Sequence, residues 1–81
     1  MPTVWRERGF RFVVFSEDHE PAHLHFFKAG DELVVNLGDE DTRPWVRENH
    51  GMKPQTLRLA FNIVVRKQEF LLEKWRRIHD N

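Results

Sequence analysis

The stretch HLHFFKAGDELVVNL, residues 23–37, decides the fold because it contains two strand-like segments joined by a short turn. Alternation along the first segment sorts its side chains onto two faces: His23, His25 and Phe27 on one, Leu24 and Phe26 on the other. Gly30 lies in the intervening turn and takes positive φ angles without strain. The apolar run 33–37 is the predicted return strand, so the stretch predicts an antiparallel hairpin.

Upstream of this hairpin, residues 10–15 (FRFVVF) form the strongest strand pattern in the chain. Both faces of its second half are apolar, which predicts a strand buried on two sides. Residues 3–6 are predicted as a short edge strand. We therefore expect a small antiparallel sheet of three to four strands. We interpret residues 38–52 as connecting sequence, with a short helix from Arg43 or Pro44 to His50.

Downstream, Pro54 suits the first turn of a helix, and neither Gly nor Pro occurs again. One helix can therefore run from about Pro54 to about His79. At 100° per residue its core face consists of Leu57, Ala60, Phe61, Val64, Leu71, Leu72, Trp75 and Ile78. The predicted fold class is α+β, a small sheet packed by one long C-terminal amphipathic helix. We expect residues 1–81 to form a single domain.

A second apolar stripe lies nearly opposite the core face of this helix. It consists of Leu59, Ile63 and Phe70, flanked by the basic residues Arg66, Lys74 and Arg77. A helix that is apolar on two faces is buried on two faces. We therefore predict a homodimer or a protein partner that contacts this stripe. The alternative is that residues 43–50 fold back over it within one chain.

Composition excludes several classes of protein. The sequence has no cysteine, no apolar run of the roughly 20 residues that a membrane span needs, and no glycine-rich phosphate loop. We expect a soluble, cytoplasmic protein without a nucleotide cofactor, and we assign no other cofactor. Residues 1–50 contain 6 basic and 10 acidic side chains, whereas residues 51–81 contain 7 and 3. This asymmetry indicates either attraction within one fold or a basic helix that meets an acidic partner.

The segment EDHEPAHLH, residues 17–25, concentrates three histidines and three carboxylates. Three interpretations are open. His23 and His25 can be an acid–base pair acting on RNA, since imidazole exchanges protons near neutral pH. They can instead bind a divalent metal together with His19 or a nearby carboxylate. The third interpretation is that they are polar side chains of a sheet edge.

Several segments together resemble a bacterial family, the domain of unknown function 4160. They are Gly9-Phe10-Arg11-Phe12, Phe15-Ser16, Glu20-Pro21-Ala22-His23-Leu24-His25-Phe26, and the final helix with Leu71-Leu72 and Trp75. Relatives usually have a second proline where this chain has Ala22. The resemblance implies a small bacterial protein, often encoded beside a member of the domain of unknown function 2442 and associated with toxin–antitoxin modules.

Two functions from different classes follow. In the first, the chain is the toxin side of a two-protein module and acts on RNA through His23 and His25. In the second, it is a non-catalytic binding or regulatory module that acts through Leu59, Ile63, Phe70, Arg66 and Arg77. A divalent-metal-binding protein that uses the histidine cluster is a further alternative.

Overall fold

Five strands form one antiparallel sheet whose spatial order follows the chain, β1-β2-β3-β4-β5, and two helices follow the last strand. The structure is a computed structural model that describes residues 3–79. The elements are β1 Thr3–Glu7, β2 Phe10–Val13, β3 His23–Lys28, β4 Asp31–Asn36, β5 Trp45–His50, α1 Pro54–Arg66 and α2 Gln68–His79. The α+β class is confirmed.

Two tight turns join the first four strands into two hairpins. Arg8-Gly9 joins β1 to β2, and Ala29-Gly30 joins β3 to β4; all four residues have positive φ. Two successive residues of this kind form the hairpin turn that matches the right-handed twist of the strands. The hairpin predicted around Gly30 is therefore confirmed, and it pairs His23 with Asn36 and Lys28 with Asp31 at its two ends.

The core lies between one face of the sheet and the two helices. Strand residues of this cluster include Phe12, Leu24, Phe26 and Val35, all fully buried. The helices contribute Ala60, Ile63, Val64, Leu71, Leu72 and Trp75. Phe12 and Phe26, adjacent across β2 and β3, stack with ring centroids 4.3 Å apart.

The predicted number of strands was too low, and the short helix predicted within residues 43–50 was wrong. That segment is β5, which pairs with β4 through Val35 and Val46 and through Asn36 and Trp45. The reason is tertiary: β4 has a free edge whose backbone groups need partners, and pairing with it overrides local helix preference. Only Val46 of this strand packs against the core, as expected for an edge strand.

The single long helix predicted from Pro54 to His79 was also wrong, because the helix breaks at Lys67. Lys67 has φ −114° and ψ 21°, outside the helical range. An unbroken helix of about 26 residues would be about 39 Å long, whereas the whole molecule is 35 Å in its longest dimension. The break allows α2 to bury Leu71 and Trp75 instead of extending past the sheet.

Strand β1 is attached to the helices by a partly exposed group of aromatic and charged side chains. Trp5 packs edge-on against Phe70 at 5.3 Å, and the Lys67 ammonium lies 4.0 Å from the Trp5 ring centroid. The Trp5 indole N–H donates to Glu7 at 3.0 Å, and Arg66 also donates to Glu7. These two donors hold the pKa of Glu7 below its usual value. Within residues 3–79, neither helix has the length and apolar character required to cross a membrane.

Candidate metal centre

Asp18, His23 and His25 bring three potential metal-ligating atoms to within 4.8 Å of one another. His23 and His25 are two positions apart on β3, so their side chains share one face, as the alternation predicts. Asp18 comes from the loop between β2 and β3. A tight turn, in which the Asp18 N–H donates to the Phe15 carbonyl at 3.0 Å, brings its carboxylate over this face.

The two imidazoles are each held at Nδ1 by an acceptor. The Nδ1–H of His23 donates to the Pro21 carbonyl at 2.9 Å, and that of His25 donates to Glu32 Oε2 at 2.8 Å. Hydrogen bonds of this kind orient metal-binding histidines in proteins, because they leave Nε2 as the free nitrogen. Both Nε2 atoms face the same oxygen, Asp18 Oδ2, at 3.4 Å for His23 and 3.2 Å for His25.

While the two imidazoles are neutral, they have too few N–H groups to donate a hydrogen bond at every ring nitrogen that faces an oxygen. A neutral imidazole has one N–H, and that proton is already donated at Nδ1 in both residues. Each Nε2 then presents a lone pair to the Asp18 carboxylate, which is repulsive. A proton donated from Nε2, or one divalent cation between the three side chains, removes this repulsion. A divalent ion would also balance the two carboxylates Asp18 and Glu32.

The distances fit a shared metal ion. Nitrogen and oxygen ligands lie about 2.0–2.2 Å from zinc, so neighbouring ligands at angles of about 90–110° are about 2.8–3.6 Å apart. The separations of 3.2 and 3.4 Å from Asp18 Oδ2 to the two Nε2 atoms fall within this range. The third separation, between the two histidines, is within 4.8 Å, so the three side chains are gathered close to the spacing that a shared ion requires.

Aromatic rings shield the site from solvent. His23 is 4% exposed and lies 5.2 Å from the Trp75 ring, whereas Phe15 packs edge-on against His25 at 4.6 Å. The side chains of His25 and Asp18 keep 16% and 17% of their surface exposed. His23 is therefore buried, whereas His25 and Asp18 each keep a small solvent-exposed surface.

Of the predicted cluster, His19 does not take part. It is exposed on the loop, and Asp18, its neighbour, supplies the third group. Sequence reasoning also missed Glu32. Its signal was its position on the return strand opposite Phe27, which places it diagonally across from His25 on the same face.

The predicted partner-binding residues differ in their exposure and in their contacts. Ile63 is 2% exposed and belongs to the core, whereas Leu59 and Phe70 are exposed on α1 and α2. Arg66 pairs with Glu7, and Arg77 pairs with Glu73 at 2.7 Å. The prediction of this stripe assumed one continuous helix, whereas Leu59 and Ile63 lie on α1 and Phe70 lies on α2.

Comparison with known proteins yields one match. The family model described as Domain of unknown function (DUF4160) matches residues 9–76. This range includes all five of the residues Asp18, Pro21, His23, His25 and Glu32 that form the site. No curated protein and no solved structure matches the chain.

Proposed function

Because this chain belongs to the family described as Domain of unknown function (DUF4160), whose description names no activity, we propose its function from the chemistry of the site. The protein is a divalent-metal-binding domain in which Asp18, His23 and His25 hold one transition-metal ion. The observation that carries this proposal is the proton shortfall: both Nε2 atoms face Asp18 Oδ2 while both Nδ1 protons are donated elsewhere.

The ligand set favours particular metals. Imidazole nitrogens suit zinc, copper, iron and nickel, and one carboxylate with two imidazoles forms a three-ligand set that leaves coordination positions open. Purely structural zinc sites usually have four protein ligands. Three protein ligands, one of them the partly exposed carboxylate of Asp18, support a site that exchanges its remaining ligand with solvent.

The test is metal binding by protein produced without a histidine tag. We expect about one Zn²⁺ or Co²⁺ per chain by equilibrium dialysis and elemental analysis. Metal that binds only the folded state, at about 100 times its dissociation constant, adds about 2.7 kcal/mol of stability. For a domain of this size, that corresponds to a rise in melting temperature of about 10–20 °C. Chelation should reverse the rise.

Asp18→Asn and His25→Ala should each abolish this stabilisation. The matched control is His19→Ala, which removes an exposed imidazole beside Asp18 and should bind metal like the wild type. Trp75 provides a local signal, because a paramagnetic ion bound near His23 would quench its fluorescence. Equal metal binding by Asp18→Asn, His25→Ala and the wild type would contradict the proposal.

RNA cleavage by His23 and His25 stays a prediction. Nδ1 of each ring is hydrogen-bonded within the protein, and the Nε2 that is left faces Asp18 rather than an open substrate site. This arrangement favours metal binding over direct acid–base catalysis. A toxin-side role is likewise a prediction, and growth inhibition on expression that depends on His25 and not on His19 would support it.

A further inference from the structure

Asn36 is buried beside the candidate metal centre with an unpartnered oxygen. It is 3% exposed, and its Oδ1 is one of two buried side-chain polar atoms without a hydrogen-bond partner in residues 3–79. Buried amide oxygens are nearly always paired, and an exception commonly marks the place of a water or an ion. This oxygen therefore needs a donor that the described side chains do not supply.

The register places Asn36 next to the metal ligands. It pairs directly with His23 across β3 and β4, and directly opposed residues project from the same face, with Cβ atoms about 4.5–5.5 Å apart. A metal on the Nε2 of His23 would lie about 2.0–2.1 Å beyond the far end of the ring. The short Asn36 side chain does not extend as far from the sheet as an imidazole does, so a bridging molecule fits better than direct ligation.

We propose that the metal ion keeps one bound water, and that this water donates a hydrogen bond to Asn36 Oδ1. The proposal rests on the proposed function and adds to it a fourth ligand and the residue that positions that ligand. A water on zinc at about 2.0–2.2 Å, with an O–H···O separation of about 2.7–2.8 Å, can connect a metal to an amide oxygen up to about 5 Å away. The water also supplies the donor that the buried oxygen lacks.

Asn36→Leu tests this role because leucine has a similar shape and no acceptor. Replacing a buried unpaired acceptor by an apolar group is nearly neutral or stabilising, so the metal-free variant should melt at or above the wild-type temperature. Its Co²⁺ affinity should fall by about 10–100-fold, as for other residues that support metal ligands from outside the coordination shell. Its visible Co²⁺ absorption bands should shift.

Asn36→Asp keeps an acceptor oxygen at the same position and should bind Co²⁺ at least as tightly as the wild type. Wild-type affinity or an unshifted Co²⁺ spectrum in Asn36→Leu would overturn the role of Asn36. A second measurement needs no variant: pulsed electron paramagnetic resonance of the Cu²⁺-loaded wild type in D₂O should detect one directly bound exchangeable water, and its absence overturns the inference. If the wild type binds neither Co²⁺ nor Cu²⁺, the proposed metal site itself fails, which is a different result from normal metal binding without the water.

Discussion

At the scale of single residues, the partners of a histidine decide what its ring can do. His23 and His25 are two residues apart on one strand, yet one donates to a backbone carbonyl and the other to the carboxylate of Glu32. A carboxylate at Nδ1 makes the opposite nitrogen a stronger ligand and contributes negative charge near the metal. Glu32 should therefore strengthen metal binding, although it is not one of the three proposed ligands.

Glu32→Gln should weaken Zn²⁺ binding by about 10–100-fold, since the amide can still accept from His25 but has no charge. The Glu32 side chain is 32% exposed, so the metal-free variant should lose less than about 1 kcal/mol of stability. Isothermal titration calorimetry measures the affinity. Glu17→Gln, an exposed carboxylate next to Asp18, is the control, and identical affinities for the two variants would rule out a role for Glu32.

At the scale of elements, the start of α2 is anchored by a side chain rather than by helix geometry alone. The Gln68 amide nitrogen donates to the carbonyls of Leu37, Asp39 and Thr42 at 2.8, 3.2 and 3.4 Å. These carbonyls belong to the loop between β4 and β5. Gln68 therefore connects the start of α2 to the loop that precedes β5. These contacts stabilise the helix break at Lys67 and the position of β5, the two elements that differ from the predicted secondary structure.

Gln68→Ala should destabilise the protein by about 1–3 kcal/mol, because the part-buried carbonyl of Leu37 loses its donor. Alanine favours helix at least as well as glutamine, so helix propensity does not explain a loss. Urea unfolding measures the change. Gln55→Ala, exposed in the first turn of α1, should change stability by less than about 0.5 kcal/mol. Equal effects of the two substitutions would show that the loop carbonyls do not depend on Gln68.

At the scale of the whole molecule, apolar surface remains exposed on α1. Leu59 is 42% exposed and Val65 is 54% exposed, whereas Ile63 is buried between them. The N-terminal part of the chain carries the acidic excess and the helices carry the basic excess. Two copies could therefore attract one another through unlike surfaces, and the predicted association stays a prediction that centres on Leu59.

We expect the wild type to sediment as a dimer at micromolar concentration. Leu59→Glu should weaken dimerisation at least tenfold, since removing a buried leucine side chain costs about 1.5–3 kcal/mol. Asn62→Glu, an exposed position on the same helix, adds the same charge without removing apolar surface and is the control. A wild type that is monomeric at every concentration would exclude the homodimer and leave a different protein as the only candidate partner.

The sequence by itself determined the features that depend on neighbouring residues. Alternation put His23 and His25 on one face, Gly30 specified the hairpin, and Pro54 marked the start of α1. The apolar stripe with Val64, Leu71 and Trp75 correctly predicted most of the helical core. Each of these follows from backbone preferences or from a period of two or 3.6 residues, which are local properties.

Only the tertiary structure decided the rest. The fifth strand exists because β4 has an edge to pair with, and the break at Lys67 accompanies the burial of Leu71 and Trp75 by α2. The choice of Asp18 over His19 and the addition of Glu32 depend on how a loop and a neighbouring strand approach β3. Contacts between residues distant in sequence leave no periodic pattern in it. The histidine pair was therefore predictable from the sequence, whereas the groups that surround the pair were not.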